Sequence, residues 1–153
     1  MDEDAWRSAY QEFNERRCVF EKTVLARMGA CPHAYKFNLA EREGVQCLRV
    51  QAHVDCAGFH ALLLEKARFA LHLTESKAAL THAKAARLAT GGLLGLRAAL
   101  GDEDGMAPVL DVHGLIRRAE ERFGGLARLP YGDIVRGIAR FRPRPRRIRI
   151  RTE

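Results

Sequence analysis

At 153 residues, with 47% hydrophobic and 29% charged side chains, the chain has the size and composition of one globular domain. It can bury a core without disulfides or metal as obligatory staples, and disorder of the whole chain is excluded. The formal charge of +7 is concentrated, because residues 140–153 carry seven arginines and one acid while the rest is close to neutral. The longest weakly polar stretch, 85–100, is broken by Arg87 and Arg97 and is too short to span a bilayer. The start Met1-Asp2-Glu3-Asp4 is acidic where a secretory signal needs positive charge. A soluble cytoplasmic protein is expected, and in that compartment four cysteines are free thiols or ligands before they are disulfides.

From the N-terminus, residues 4–28 read as a helix, since Trp6, Tyr10, Phe13, Phe20, Val24 and Met28 recur at spacings of three, four and seven and share a face. Cys18 projects roughly 110° from the centre of that face and is expected furthest from the other cysteines. Gly29-Ala30 ends the helix, Pro32 suits the first turn of a second helix running to about Glu43, and Gly44 stops it. Cys31 is then expected at a helix N-terminus, where the dipole favours a thiolate. Val45 to Val54 is ambiguous between a short strand and more helix. Asp55 reads as the cap of a helix from Cys56 to about Leu71, with Phe59, Leu62, Leu63, Phe69 and Ala70 inward.

Residues 78–100 have high helix propensity but contain Gly91, Gly92 and Gly95, which predicts two helical pieces with a bend or close contact at the glycines. Asp102-Glu103-Asp104-Gly105 is a polar loop. Asp111 caps a helix whose Val112, Leu115, Ile116, Ala119 and Phe123 share a face, and Gly124-Gly125 ends it. Leu129 to Asp133 leads into a last helix, with Ile134, Val135, Ile138 and Phe141 inward, that Pro143 prevents from continuing. The predicted fold is mainly α, a single-domain irregular bundle of about five to six helices over 1–141 with an extended Arg/Pro-rich tail over 142–153. No βαβ alternation or internal repeat is present.

Soft metal ligands gather in one 26-residue window that holds Cys31, Cys47 and Cys56 with His33, His53 and Asp55. Thiolates suit iron–sulfur clusters and zinc because soft sulfur donors match those ions. The separations of sixteen and nine residues match no knuckle signature, so convergence depends on the fold. Residues nine apart in an unbroken helix differ by about 180°, so Cys47 and Cys56 can share a metal only if the chain breaks between them. Cys18, His33, His53 or Asp55 are candidates for a fourth ligand, as are a small molecule or another chain. Against a metal stands the ordinary tendency of free cysteine to be buried.

The runs Leu39 to Cys47, Ala67 to Leu71, and Phe123 to Leu126 with Ile134-Val135 resemble a group of small, cysteine-containing helical proteins of proteobacteria. The resemblance covers most of the chain and carries no activity with it. The pattern of that group has a further cysteine just before the glycine pair, where this chain has Thr90, so a candidate fourth thiolate is missing here.

Other chemistries are less well supported. Ser8 and Ser76 lie in no nucleophile elbow, and no glycine-rich phosphate loop occurs. Cys31 beside His33 could pair a thiol with an imidazole, as a thiol enzyme would. His60, His72, His82 and His113 are scattered and read as surface or capped histidines. Asp102 to Gly105 only superficially resembles a calcium loop, because His113 stands where a bidentate Glu is needed.

In the tail, Arg140, Arg142, Arg144 and Arg146 alternate as a cationic comb. Beyond Arg147, Arg149 and Arg151 alternate with Ile148 and Ile150. Guanidinium groups suit phosphate or carboxylate, but no interleaved aromatics provide base stacking, so any nucleic-acid binding is nonspecific. The reading that follows is a small cytoplasmic accessory protein, expected not to be an enzyme by itself, that holds an iron–sulfur cluster, or zinc as the alternative, and docks a larger partner through its tail. The runner-up is a metal-free adaptor or nonspecific nucleic-acid-binding protein acting through the tail.

Overall fold

The computed structural model describes residues 2–68, 80–102 and 104–142. The expected inward positions Phe69 and Ala70, His72, and the tail arginines beyond Arg142 lie outside the described residues. The fold is mainly helical and, among the described residues, has one two-stranded antiparallel sheet.

Helix α1 (Glu3–Phe13) is capped by the Asp2 side chain and ends at Asn14, so the single helix expected to Met28 is broken. The cause lies in polar groups that a helical wheel ignores. Asn14 Nδ2 donates to the Tyr10 hydroxyl at 2.9 Å and to the Val45 carbonyl at 3.0 Å. Residues 16–18 then run beside Val45 to Cys47, with Cys18 N–H donating to Val45 O and Cys47 N–H to Arg16 O. The short α2 (Glu21–Leu25) resumes the helix and buries Glu21, Thr23 and Val24. Phe13, counted as apolar face, is left 52% exposed.

The second expected helix, from Pro32 to Glu43, is instead a hairpin of β1 (Ala34–Leu39) and β2 (Arg42–Cys47), paired from Ala34↔Cys47 to Leu39↔Arg42. The two turn residues Ala40 and Glu41 both have positive φ, 50° and 68°, the two-residue geometry that matches strand twist. Neither is the Gly or Asn that normally signals this turn, which is why periodicity misled. Gly44 does not stop a helix. It sits in β2 where an added Cβ would stand 2.5 Å from the Phe37 ring and 2.8 Å from that of Tyr10.

The ambiguous stretch after Val45 resolves as the end of β2, a two-residue break at Leu48-Arg49, and α3 (Val50–Ala67). Asp55 is therefore inside α3 and caps nothing. Next come α4 (His82–Ala86), a π-helical turn (Arg87–Gly91) and α5 (Gly92–Ala99). The close contact expected at the glycines is present. A Cβ on Gly95 would lie 2.7 Å from the Ile134 carbonyl, and one on Gly137 2.7 Å from the Gly95 Cα, so α5 meets α7 (Tyr131–Arg140) backbone to backbone. Between them in sequence, α6 (Val112–Phe123) is capped by Asp111 Oδ1 on Gly114 N–H and ends at left-handed Gly124. Phe59 and Leu63 of α3, Leu93 and Leu96 of α5, Ile116 of α6 and Ile134 of α7 are fully buried in one core. Because Arg140 still belongs to α7 and Arg142 folds back onto the Ala139 carbonyl, the extended comb of arginines does not begin at residue 140.

Three outcomes test this account. Gly95→Ala should cost about 1–3 kcal/mol by overpacking the α5–α7 contact, read as a lower urea midpoint with an unchanged slope. Glu41→Gly should gain about 1 kcal/mol by relieving a left-handed side chain; a lower midpoint would contradict the hairpin. Burial first, and then the hydrogen bond to Glu21 and its charge, push the Tyr10 phenol up to about 12, against the opposing Asn14 contact and the Arg17 charge. Its folded value exceeds the ordinary 10, so its contribution is complete below pH 10 and is lost as pH climbs towards 12. Tyr10→Phe should flatten the alkaline fall in stability, and an unchanged alkaline profile would show that the phenol is not held protonated.

Candidate metal centre

All four cysteines line one cavity. Cys18 comes from the turn before α2, Cys31 from the loop before the hairpin, Cys47 from the last position of β2, and Cys56 from the second turn of α3. The break at Leu48-Arg49 supplies the chain reversal that lets Cys47 and Cys56 converge. The cavity measures about 20 Å³, room for roughly one water-sized occupant. Its remaining wall is largely apolar, formed by Val19, Phe20, Val24, Ala34, Ala52 and Val112.

Cys56 is carried by α3, while Cys18, Cys31 and Cys47 are placed by backbone contacts outside any helix. Cys18 N–H donates to Val45 O at 2.9 Å, and Arg16 donates through Nη1 to the Cys47 carbonyl at 3.0 Å. Cys31 follows a segment pinned to the approach to α6, with Ala30 N–H on Val109 O at 2.8 Å and Val112 N–H on Ala30 O at 2.9 Å. No helix starts at Pro32, so the helix dipole expected to act on Cys31 is absent. The Cys47 thiol donates to the Arg49 carbonyl at 3.3 Å.

Burial pushes the Cys18 thiol up to about 11, outweighing the hydrogen bond from the Phe20 backbone, with Cys47, Cys31 and Glu21 adding repulsion. Burial raises Cys56 further still, and Cys18, Cys31, Cys47 and Asp55 all add repulsion there. Two physical conclusions follow. Each new negative charge would be felt by the other sulfurs, and the largely apolar wall does little to stabilise a thiolate.

The remaining candidates separate. His33 and His53 line the cavity, though His53 Nε2 is engaged with the Arg17 carbonyl at 3.1 Å. Asp55 does not line it; burial raises its pKa, but hydrogen bonds from His113 and Gln51 outweigh that and hold the carboxyl below its ordinary value. Thr90, just before the glycine pair, is buried with its hydroxyl 2.9 Å from that of Thr23 and does not line the cavity. Cys18, expected furthest from the others, is the fourth thiol, because the broken N-terminal helix invalidates the wheel that placed it apart.

His113 escaped sequence reasoning. Spacing places it with the scattered surface or capped histidines, yet it is only 9% exposed and lines the cavity. Its proximity depends on α6 packing against α3, for which spacing gives no signal.

Among the described residues, no three His, Cys, Asp or Glu side chains already stand in an arrangement that holds an ion. The donor chemistry nevertheless fits a soft metal, with four thiols and three imidazoles lining one cavity. A single ion fits the present volume, whereas a four-iron cluster would require the walls to part. Among the described residues, no helix is long and apolar enough to cross a membrane. No protein family, curated protein or solved structure matches this chain.

Proposed function

We propose that this chain is a small metal-binding accessory protein whose cavity thiols, Cys18, Cys31, Cys47 and Cys56, hold a soft metal centre. The observation that carries the reading is the convergence of all four cysteines, drawn from four separate segments, on one small cavity. A core that only needed small apolar side chains has no reason to collect sulfur from every segment that carries it. Four thiolates satisfy either tetrahedral zinc or an iron–sulfur cluster. The volume favours a single ion, and an iron–sulfur cluster is the reading in which the loop carrying Cys31 and the turn carrying Cys18 move outward. In either case the metal supplies the positive charge that the buried thiolates lack.

The arginine-rich end gives the proposal its second half. Its seven arginines against one acid suit docking on an acidic protein surface, with a nucleic-acid backbone as the alternative partner.

The primary test is analysis of metal and acid-labile sulfide, with a visible spectrum, on protein purified without oxygen. Stoichiometric iron with sulfide identifies a cluster, zinc without sulfide identifies a single-ion site, and neither after reconstitution overturns the metal reading. Cys31→Ser combined with Cys56→Ser should abolish metal content in either case. Deleting residues 143–153 should leave metal content at the wild-type level, and a loss of metal on deletion would show that the two halves are not separate.

A further inference from the structure

His113 sits at the second position of α6, behind a cap and a backbone contact that fix where its ring goes. Its Nε2 lies 2.9 Å from Asp55 Oδ2, and the other carboxylate oxygen, Oδ1, accepts from Gln51 Nε2 at 3.1 Å. Both partners of the pair are buried, at 9% and 8% exposure. A carboxylate can only accept, so Nε2 carries a proton in this contact and the neutral ring keeps its lone pair on Nδ1. The same ring lines the thiol cavity and packs edge-on to His33 at 5.3 Å between centroids.

A carboxylate that fixes the tautomer of an imidazole at a soft-donor cavity is the arrangement by which proteins orient a metal-ligating histidine. A purely structural α3–α6 tie would be served as well by a pair buried away from the cysteines. We propose that His113 is a nitrogen donor to the metal held in the cysteine cavity, with Asp55 as its positioning residue, so that the four positions of the centre are filled by this imidazole and three of the four thiolates. This rests on the reading that the cavity binds metal, and it names a donor outside the cysteine set.

The test uses the full chain loaded with zinc or, for optical work, with cobalt(II) under exclusion of oxygen. X-ray absorption of the wild-type zinc form should require a nitrogen shell at about 2.0–2.1 Å beside sulfur at about 2.3 Å; a shell of sulfur alone overturns the proposal. In the cobalt form, His113→Gln should move the ligand-field bands while keeping the sulfur-to-metal charge-transfer absorption, and His113→Cys should strengthen that absorption. Asp55→Asn should keep the band positions and weaken metal affinity about 10–100-fold. A merely structural His113 would alter thermal stability and leave the cobalt spectrum of the folded variant unchanged, which also overturns the proposal. If wild-type protein gives no sulfur-to-metal charge transfer at all, the metal reading itself fails and His113 loses its role with it. The wild-type absorption measurement does not depend on any variant folding.

Discussion

The buried carboxylate of Glu21 is the constraint on which the N-terminal half depends. It accepts the Tyr10 hydroxyl and the Val45 N–H on one oxygen and the Arg17 guanidinium on the other. A charged group at 7% exposure is tolerable only when its lone pairs are filled. Filling them requires α1, the turn at 14–18 and β2 to meet at one place. That meeting breaks the N-terminal helix, aligns residues 16–18 with the strand, and sets Cys18 and Cys47 on the same side of the molecule. Asn14 adds two more hydrogen bonds to the same junction.

The other half is organised by close packing. Gly91, Gly95 and Gly137 let the backbones of the π-turn, α5 and α7 touch, and an added methyl at any of them meets main chain that cannot move aside. The π-helical turn falls where this approach begins, between two α-helical stretches in direct succession. On this platform α3 and α6 lie side by side, tied by the Asp55–His113 pair. The cavity thus forms between a helical face carrying Cys56 and His113 and a face of turn, loop and strand end carrying Cys18, Cys31 and Cys47.

The chemistry of the cavity differs from that of an ordinary core. Thiols are good core residues one at a time, because a neutral S–H buries cheaply. Four together, with imidazoles in the wall, are electrostatically costly to ionise in the absence of a cation. A bound cation reverses that cost: burial then strengthens its attraction to the sulfurs.

What the sequence by itself determined were the features that local physics controls. The α6 cap at Asp111 and stop at Gly124, the last helix with Ile134 and Ile138 inward, the need for close approach at the glycines, and the break required between Cys47 and Cys56 are all legible, because caps, turn-forming residues and 3.6-residue periodicity act within a few residues. The hairpin was not legible, since Ala40 and Glu41 carry no turn signal and adopt left-handed backbone only because strand pairing and the packing of Phe37 outweigh their local preference. The broken first helix was hidden for a related reason: its apolar spacing is real, but Glu21 and Asn14 have partners in β2 that no wheel contains. The three cysteines and two of the histidines of the 31–56 window are legible by residue type, and they line one cavity. Only the tertiary structure decided that Cys18 joins them, that Asp55 turns to His113 and not to a helix end, and that His113 belongs to the cavity at all, because Cys18 is placed through Val45 and Asp55 through His113, contacts between residues far apart in sequence that are fixed by where buried charge and backbone hydrogen bonds can be satisfied.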